Sequence, residues 1–411
     1  MAARPSKWRL IGFGLGVLLL VLMAVAQLFK HDLIRLQFVL TLCEPRTIAT
    51  NFRNITRVLD YHTVRRSGPT YRIPYAKAPL PATYTYAGDR RELAQWLEKT
   101  ATAGIIVIRD GKIAFERYYL ANDARTHWIA CSASHPFISI LVGFAQEEGL
   151  IRSVSDMVTD YVPGLKYSGY DGVTLKDALQ MSSGVTFDGN RADFFSDINR
   201  LKRHLALGNT AASFIEKLDR TRPPGTYNRI VGMDTQVLAM VLRAATGRSL
   251  AAYMEEKLWS RLGVEGDALW LVDAGGTALA FCGLNARLRD YARFGLLCLN
   301  QGRNFRDQQI LPARWFRDSI TPDRPHLMPG ADNPASSHPH GYGYQWWLPA
   351  PPDGDHCAIG LYGQFIYLHP RFRVVIAKIS ADSTHDRHGT EGERESLSVF
   401  RTIAAHMGQY P

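Results

Sequence analysis

The sequence predicts an α+β fold, an antiparallel sheet flanked by terminal helices with an all-helical lobe inserted between the strands at its two ends. Three observations predict it. Residues 104–109 and 112–119 are apolar runs joined by Asp110-Gly111, a dipeptide suited to the two positive-φ positions of a type I′ hairpin turn. Residues 363–379 read as a second hairpin, near the other end of the chain. Between the two, residues 137–300 repeat apolar positions at helical spacing, so the sheet is expected to receive strands from both sides of a helical insertion.

The chain has 411 residues, 46% of them hydrophobic, which is enough to bury a full core and more than one average domain needs. One large catalytic-type domain with appendages is therefore expected. Arg4, Lys7 and Arg9 precede the uncharged stretch 10–29, which is long enough to cross a bilayer as a helix. The basic cluster places residues 1–9 in the cytoplasm and the body outside it. Ala24-Val-Ala26 also fits a signal-peptidase site, so 10–29 reads as a transmembrane anchor or a signal peptide. Under both readings the body is exported, and the expected location is the membrane, single-pass, with the body periplasmic or extracellular. Residues 30–85 contain Pro69, Pro74, Pro79 and Pro81, which break any long helix, and read as an extension or linker. Residues 86–411 form the main domain. Its expected helices include 89–100, 250–262 opened by Ser249, 284–299, and a closing helix over 391–407.

The net charge of +10 is spread along the chain without a block of like charges, which excludes a nucleic-acid tail and suits a basic surface facing an anionic membrane. Cys43, Cys131, Cys282, Cys298 and Cys357 have no metal-ligand spacing, and their odd number argues against a complete disulfide framework. Asn54-Ile-Thr56 is a glycosylation sequon that matters only in a eukaryotic secretory pathway. His338, His340, His356, His385 and His388 lie in loops without ligand spacing, so no metal is expected. Trp346 and Trp347 read as core and pocket wall.

Ser132 precedes an apolar run with the layout of a buried helix, and His135 follows one turn later. A serine hydroxyl reacts only when a neighbouring base takes its proton, so the residue at this spacing decides its chemistry. A serine at a helix start also serves as a hydroxyl cap, with His135 as an ordinary first-turn residue.

Further motifs occur in one order: Tyr170-Asp-Gly-Val-Thr-Leu-Lys-Asp-Ala-Leu-Gln-Met-Ser-Ser-Gly-Val185, Pro223-Pro-Gly-Thr226, Asp234-Thr-Gln236, Gly283-Leu-Asn285 and Gly341-Tyr-Gly-Tyr-Gln-Trp-Trp347. With the run around Ser132, they make the chain resemble the serine β-lactamase-related hydrolases over residues 86–411. The nearest branch holds the nylon-oligomer (aminohexanoate-dimer) hydrolases, related to class C β-lactamases and penicillin-binding carboxypeptidases and esterases. The resemblance implies a β-lactamase-like fold and a serine nucleophile at a helix start. It further implies a lysine three residues later as base, a tyrosine relay, an oxyanion hole of two backbone N–H groups, and no metal or organic cofactor.

By the same resemblance, Ser132 falls on the nucleophile, His135 on the lysine, and Pro136 where a small hydroxyl residue is common. The motifs on either side of residues 227–233 set the register there, placing Ile230 on the tyrosine and Gly232 on a small polar position, with Tyr227 three residues early. Gly360 and Leu361 match an edge strand, Leu361 offering the second oxyanion N–H beside that of Ser132. Arg191, Tyr227, Ile230, Gly360 and Trp346 are the expected cleft residues, with Asp193, Asp197 and Asn199 nearby. Two readings follow. One is an exported, membrane-tethered serine hydrolase of small or peptide-like amides or esters, with Ser132 as nucleophile and His135 as substitute base. The other is an inactive relative whose cleft binds a ligand or cell-envelope partner.

Overall fold

The structure, a computed structural model, describes residues 15–17, 19, 20, 23, 27, 29–330 and 333–410, the side chains of 386–388 aside. The expected membrane-spanning stretch 10–29 thus lies largely outside the described residues. Among the described residues no helix is long and apolar enough to cross a membrane.

The central sheet has seven strands: β1 (Thr102–Arg109), β2 (Lys112–Tyr118), β3 (Gly341–Tyr342), β4 (Trp347–Leu348), β5 (His356–Gly360), β6 (Gln364–His369) and β7 (Val374–Ser380). Their order is β2-β1-β7-β6-β5-β4-β3, and every pairing is antiparallel. The N-terminal hairpin β1-β2 therefore abuts the C-terminal hairpin β6-β7, as the two turn signals predict. Asp110 and Gly111 take φ of 45° and 72°, the left-handed pair that this turn requires.

Alternation along the strands divides the core. Ile106 and Ile108 of β1 and Val375 and Ala377 of β7 face the inserted lobe. Ile105, Val107, Val374 and Ile376 face the terminal helices, where Trp96, Leu97, Phe400 and Ile403 meet them. The closing helix, His385–Met407, is interrupted at Gly389, whose φ of 46° is not helical.

Five helices bear on the site: α1 (Lys30–Thr41), α2 (His135–Glu147), α3 (Asp197–Ala206), α4 (Gly232–Thr246) and α5 (Leu288–Leu299). Of the expected helices, 89–100 begins late. Residues Asp89–Glu92 instead pair with Thr83–Tyr86 across a turn at Ala87 and Gly88, and the helix is Leu93–Lys99. Likewise Leu284–Arg287 is a strand of a four-stranded sheet, and only Leu288–Leu299 is helical. Tertiary strand pairing overrides helical periodicity in both places. Ser249 caps its helix, accepting the Ala252 N–H at 3.2 Å, although that helix closes at Lys257.

The 30–85 extension is more than a connector. Ile48, Phe52, Ile55 and Val64 are buried in the main core, and Tyr61–Val64 joins the four-stranded sheet. That sheet ends with His127–Ile129, which delivers the chain to Ser132. Helix α1 packs on α3.

Candidate active site

Ser132 sits half-buried in the 3₁₀ turn Cys131–Ser134, which runs directly into α2. Two anchors hold the approach to it: Ala130 N–H donates to the Leu284 carbonyl at 2.8 Å, and the Tyr291 hydroxyl donates to the Trp128 carbonyl at 2.7 Å. Cys131 takes φ of 47°, a conformation that non-glycine residues adopt rarely and that turns the chain sharply just before the serine. Neither the turn nor α2 has a side-chain N-cap hydrogen bond. Ser134 donates to the Cys131 carbonyl at 2.8 Å, so the hydroxyl that ties down this turn is Ser134 and not Ser132.

The end of β5, where the second oxyanion N–H is expected, abuts the serine turn. A Cβ on Gly360 would overlap the Ala130 carbonyl oxygen and stand 2.9 Å from Ala133 N, so only glycine lets β5 meet the serine turn this closely. By sheet order β5 is an interior strand and not an edge. It pairs with β4 only at Trp347↔Cys357, however, which leaves residues 358–360 against the turn. Leu361, the next residue, lines the same cavity as Ser132.

His135 is 3% exposed, and its Nε2 lies 3.0 Å from the Phe281 carbonyl oxygen. A carbonyl only accepts, so Nε2 carries the proton and Nδ1 holds the lone pair. Burial pushes the ring's pKa down to about 4, partly opposed by this hydrogen bond, so the imidazole is neutral at physiological pH. No hydrogen bond joins Ser132 and His135 among the described residues.

The cavity beside Ser132 has a volume of about 480 Å³. Of the expected cleft residues, Arg191 and Ile230 line it, as do the expected oxyanion residue Leu361 and Gly232, whose Cβ would stand 3.2 Å from that of Phe281. Gly360 packs on the serine turn instead, and two others lie away from the cavity. Tyr227 lies under the Arg222 guanidinium, 3.9 Å from its ring centre, and lines a separate hollow of about 310 Å³ with Met181 and Arg229. Trp346 is 1% exposed and stacks on Phe294 inside the core. Asp193, Asp197 and Asn199 fix the loop that carries Arg191: the Asn199 amide donates to the Arg191 and Asp193 carbonyls, Asp197 accepts the Asp188 N–H, and Asp193 accepts that of Phe195.

Sequence reasoning missed two features. Arg35, Leu42, Cys43 and Phe52, from the extension, also line the Ser132 cavity; the apolar face of α1 was the available signal. His338, His340 and Glu393 place ligating atoms within 4.8 Å of one another. His338 Nε2 is 2.8 Å from Glu393, His340 Nδ1 accepts the Ala350 N–H, and His340 Nε2 is buried without a partner. This donor set suits a divalent cation, and Glu393 lies too far along the chain for spacing to reveal it.

Comparison with known proteins agrees with this fold. The curated 6-aminohexanoate-dimer hydrolase of Paenarthrobacter ureafaciens is 27% identical over 324 residues, covering 76% of this chain and 82% of that protein. A Bacillus anthracis structure named as a candidate 6-aminohexanoate-dimer hydrolase superposes with a TM-score of 0.78 at 25% identity, covering 89% of this chain and 95% of the other. A class C β-lactamase mutant shares the fold, with a TM-score of 0.56 at 15% identity over 76% of this chain and 95% of its own. The family model described as Beta-lactamase matches residues 90–398, which run from the strand before the first terminal helix into the last one. Sheet, inserted lobe and serine turn all fall within that match, and the chain belongs to the β-lactamase family.

Proposed function

We propose that the chain is an exported, membrane-tethered serine hydrolase of amides or esters, in which His135 stands in for the family's lysine and Ile230 leaves the tyrosine relay unfilled. The observation that carries this reading is Ser132 itself: half-exposed, released from capping, on the wall of a cavity, and met by a strand end that only Gly360 permits. In the proposed reaction, Ser132 Oγ bonds to the substrate carbonyl carbon and its proton passes to His135 Nδ1. The oxyanion is held by the Ser132 and Leu361 N–H groups. Collapse expels the amine or alcohol, which takes the proton from His135, and water then hydrolyses the acyl-Ser132 ester by the same route reversed. The amide class draws on the 6-aminohexanoate-dimer hydrolases that the chain is similar to. Export and tethering draw on Arg4, Lys7 and Arg9 ahead of the apolar stretch 10–29.

One observation favours a slow enzyme or a binding protein. A base is most effective when its pKa lies near the operating pH, and that of His135 is about 4. Labelling with a fluorophosphonate, compared between the native chain and Ser132→Ala between about pH 6 and 9, decides the matter. The hydrolase reading expects a Ser132-dependent adduct, and absence of any adduct leaves a ligand-binding cleft.

A further inference from the structure

We infer that the Ser132 cavity is an acyl-chain pocket, and that its ligand is a long-chain acyl amide or ester with an anionic head. This inference rests on the reading of Ser132 as the residue that meets the acyl carbonyl.

The cavity is walled by hydrocarbon on several sides. Leu42 and Phe52 come from the extension, Ile198, Leu201 and Leu205 from α3, and Phe281 from the segment that holds His135. Ile198, Leu201 and Leu205 lie at helical spacing, so one stripe of α3 faces the cavity while Arg200 and Arg203 flank it. A cavity of about 480 Å³ falls in the range that encloses most of a small-molecule ligand. A small polar amide would leave this hydrocarbon wall against water, whereas an alkyl chain would cover it.

The charged groups around the cavity are unequal. Arg35, Arg191, Lys202 and Arg229 line it, against the two carboxylates Asp60 and Asp273. Groups of both signs are engaged: Asp60 and Arg35 pair with each other, Asp273 accepts the N–H groups of Ala211, Gly275 and Thr277, Arg229 donates to the Phe187 carbonyl, and Arg191 lies over the Tyr362 ring. The balance is cationic and suits an anionic head.

The elements that roof the cavity also carry exposed hydrocarbon. Leu33, Ile34 and Leu40 on α1 are 49%, 45% and 55% exposed, and Phe194 and Phe195, just before α3, are 57% and 77% exposed. Helix α1 packs on α3 and follows directly on the apolar stretch 10–29. Exposed aromatic and aliphatic groups beside Arg200 and Arg203 are the composition of an interfacial surface, from which an amphiphile would reach the pocket.

The test uses the full chain as Ser132→Ala, so that binding is read without turnover. A fluorescent fatty acid is bound, then displaced by N-acylglycines of increasing chain length, at concentrations where they are monomeric. The pocket predicts affinity rising by about fourfold per added methylene until the cavity is full, then levelling. The primary amide of each ligand, lacking the carboxylate, is expected to bind about tenfold more weakly at low salt. Leu42→Trp and Leu205→Phe, both at partly exposed positions, are expected to shorten the longest chain accommodated while leaving the melting temperature near that of the parent. Equal binding of short and long chains, or no displacement by any of them, would overturn the pocket. Equal binding of acid and amide would overturn the anionic head. Hydrolysis of the same ligands by the native chain reports on Ser132 separately, so chain-length-dependent binding without hydrolysis sustains the pocket and removes the enzyme.

Discussion

His135 donates its Nε2 proton to the Phe281 carbonyl across 3.0 Å, which fixes the tautomer of the one imidazole placed a helical turn from Ser132. The bond orients the ring and leaves the lone pair on Nδ1, while burial, which this bond partly opposes, keeps the group neutral inside the fold. It also sets the limits of the proposed chemistry, because a ring whose pKa burial has pushed down to about 4 accepts a proton reluctantly.

Restoring the family's reacting groups should therefore raise turnover. His135→Lys combined with Ile230→Tyr is expected to increase kcat/KM on a simple acyl ester by roughly 10²-fold or more, the usual contribution of a well-matched proton-transfer group. Ile230 lines the same cavity as Ser132, which makes it the position to restore. Steady-state kinetics check this, and an unchanged rate in a folded double variant would show that the cleft has diverged beyond those two positions.

The pH dependence follows from the same ring. The base must be neutral, so the acylation rate is expected to rise as pH climbs through about 4 and to stay level from there through neutrality. Stopped-flow acylation between about pH 3 and 8 reads the inflection. An inflection near the ordinary histidine value, about 6.5, would mean that His135 is not the base or is solvated when substrate is bound.

Gly360 should tolerate no side chain. In Gly360→Ala the new Cβ overlaps the Ala130 carbonyl oxygen, so β5 must move away from the serine turn and take the Leu361 N–H with it. The expected result is at least about 10²-fold slower Ser132 labelling, the scale of losing one oxyanion donor, with a stability loss of about 1–3 kcal/mol. Labelling at the native rate would remove Leu361 from the oxyanion hole.

The chain should also weaken in acid. Burial pushes His135, His356 and His340 down to about 4, 4 and 3. Between these values and about 6.5, the unfolded chain binds protons that the folded chain refuses, so their contribution is lost as pH falls through that window. Asp234 and Asp290, raised by burial to about 7 and 6, act in the opposite sense. His127, His204 and His326, also lowered by burial, add to the histidine side, so stability is expected to fall from pH 7 to about 4.5. Urea unfolding at the two pH values measures it, and equal or greater stability in acid would contradict the neutral burial of these rings.

Much of the sheet was legible because its signals are local. Asp110-Gly111 dictates a hairpin wherever it stands between apolar runs, and the interruption at Gly389 leaves 391–407 as the closing helix expected. Residues 89–92 and 284–287 were not legible as strands, since only partners distant in space distinguish them from a helix start. In the site, motif register singled out Ser132, His135, Ile230, Gly360 and Leu361, of which Ser132, Ile230 and Leu361 share one cavity wall and Gly360 packs on the serine turn. Tyr227 lies away from the Ser132 cavity, and Trp346 takes the core place expected of it and not a place on the cleft wall, because the side-chain direction of a loop residue, or of a tryptophan between two aromatic layers, is set by packing that no spacing encodes. The contribution of α1 and Phe52 to the cavity was hidden for the same reason.

The measurement that bears most directly on the function of this chain is the intact mass of the full-length protein after brief exposure to an activated long-chain acyl ester, followed by peptide mapping. A mass increase equal to the acyl group, located on the peptide containing Ser132 and lost in Ser132→Ala, is the predicted result. An unmodified mass in the native chain, or an adduct that persists in Ser132→Ala, would contradict it.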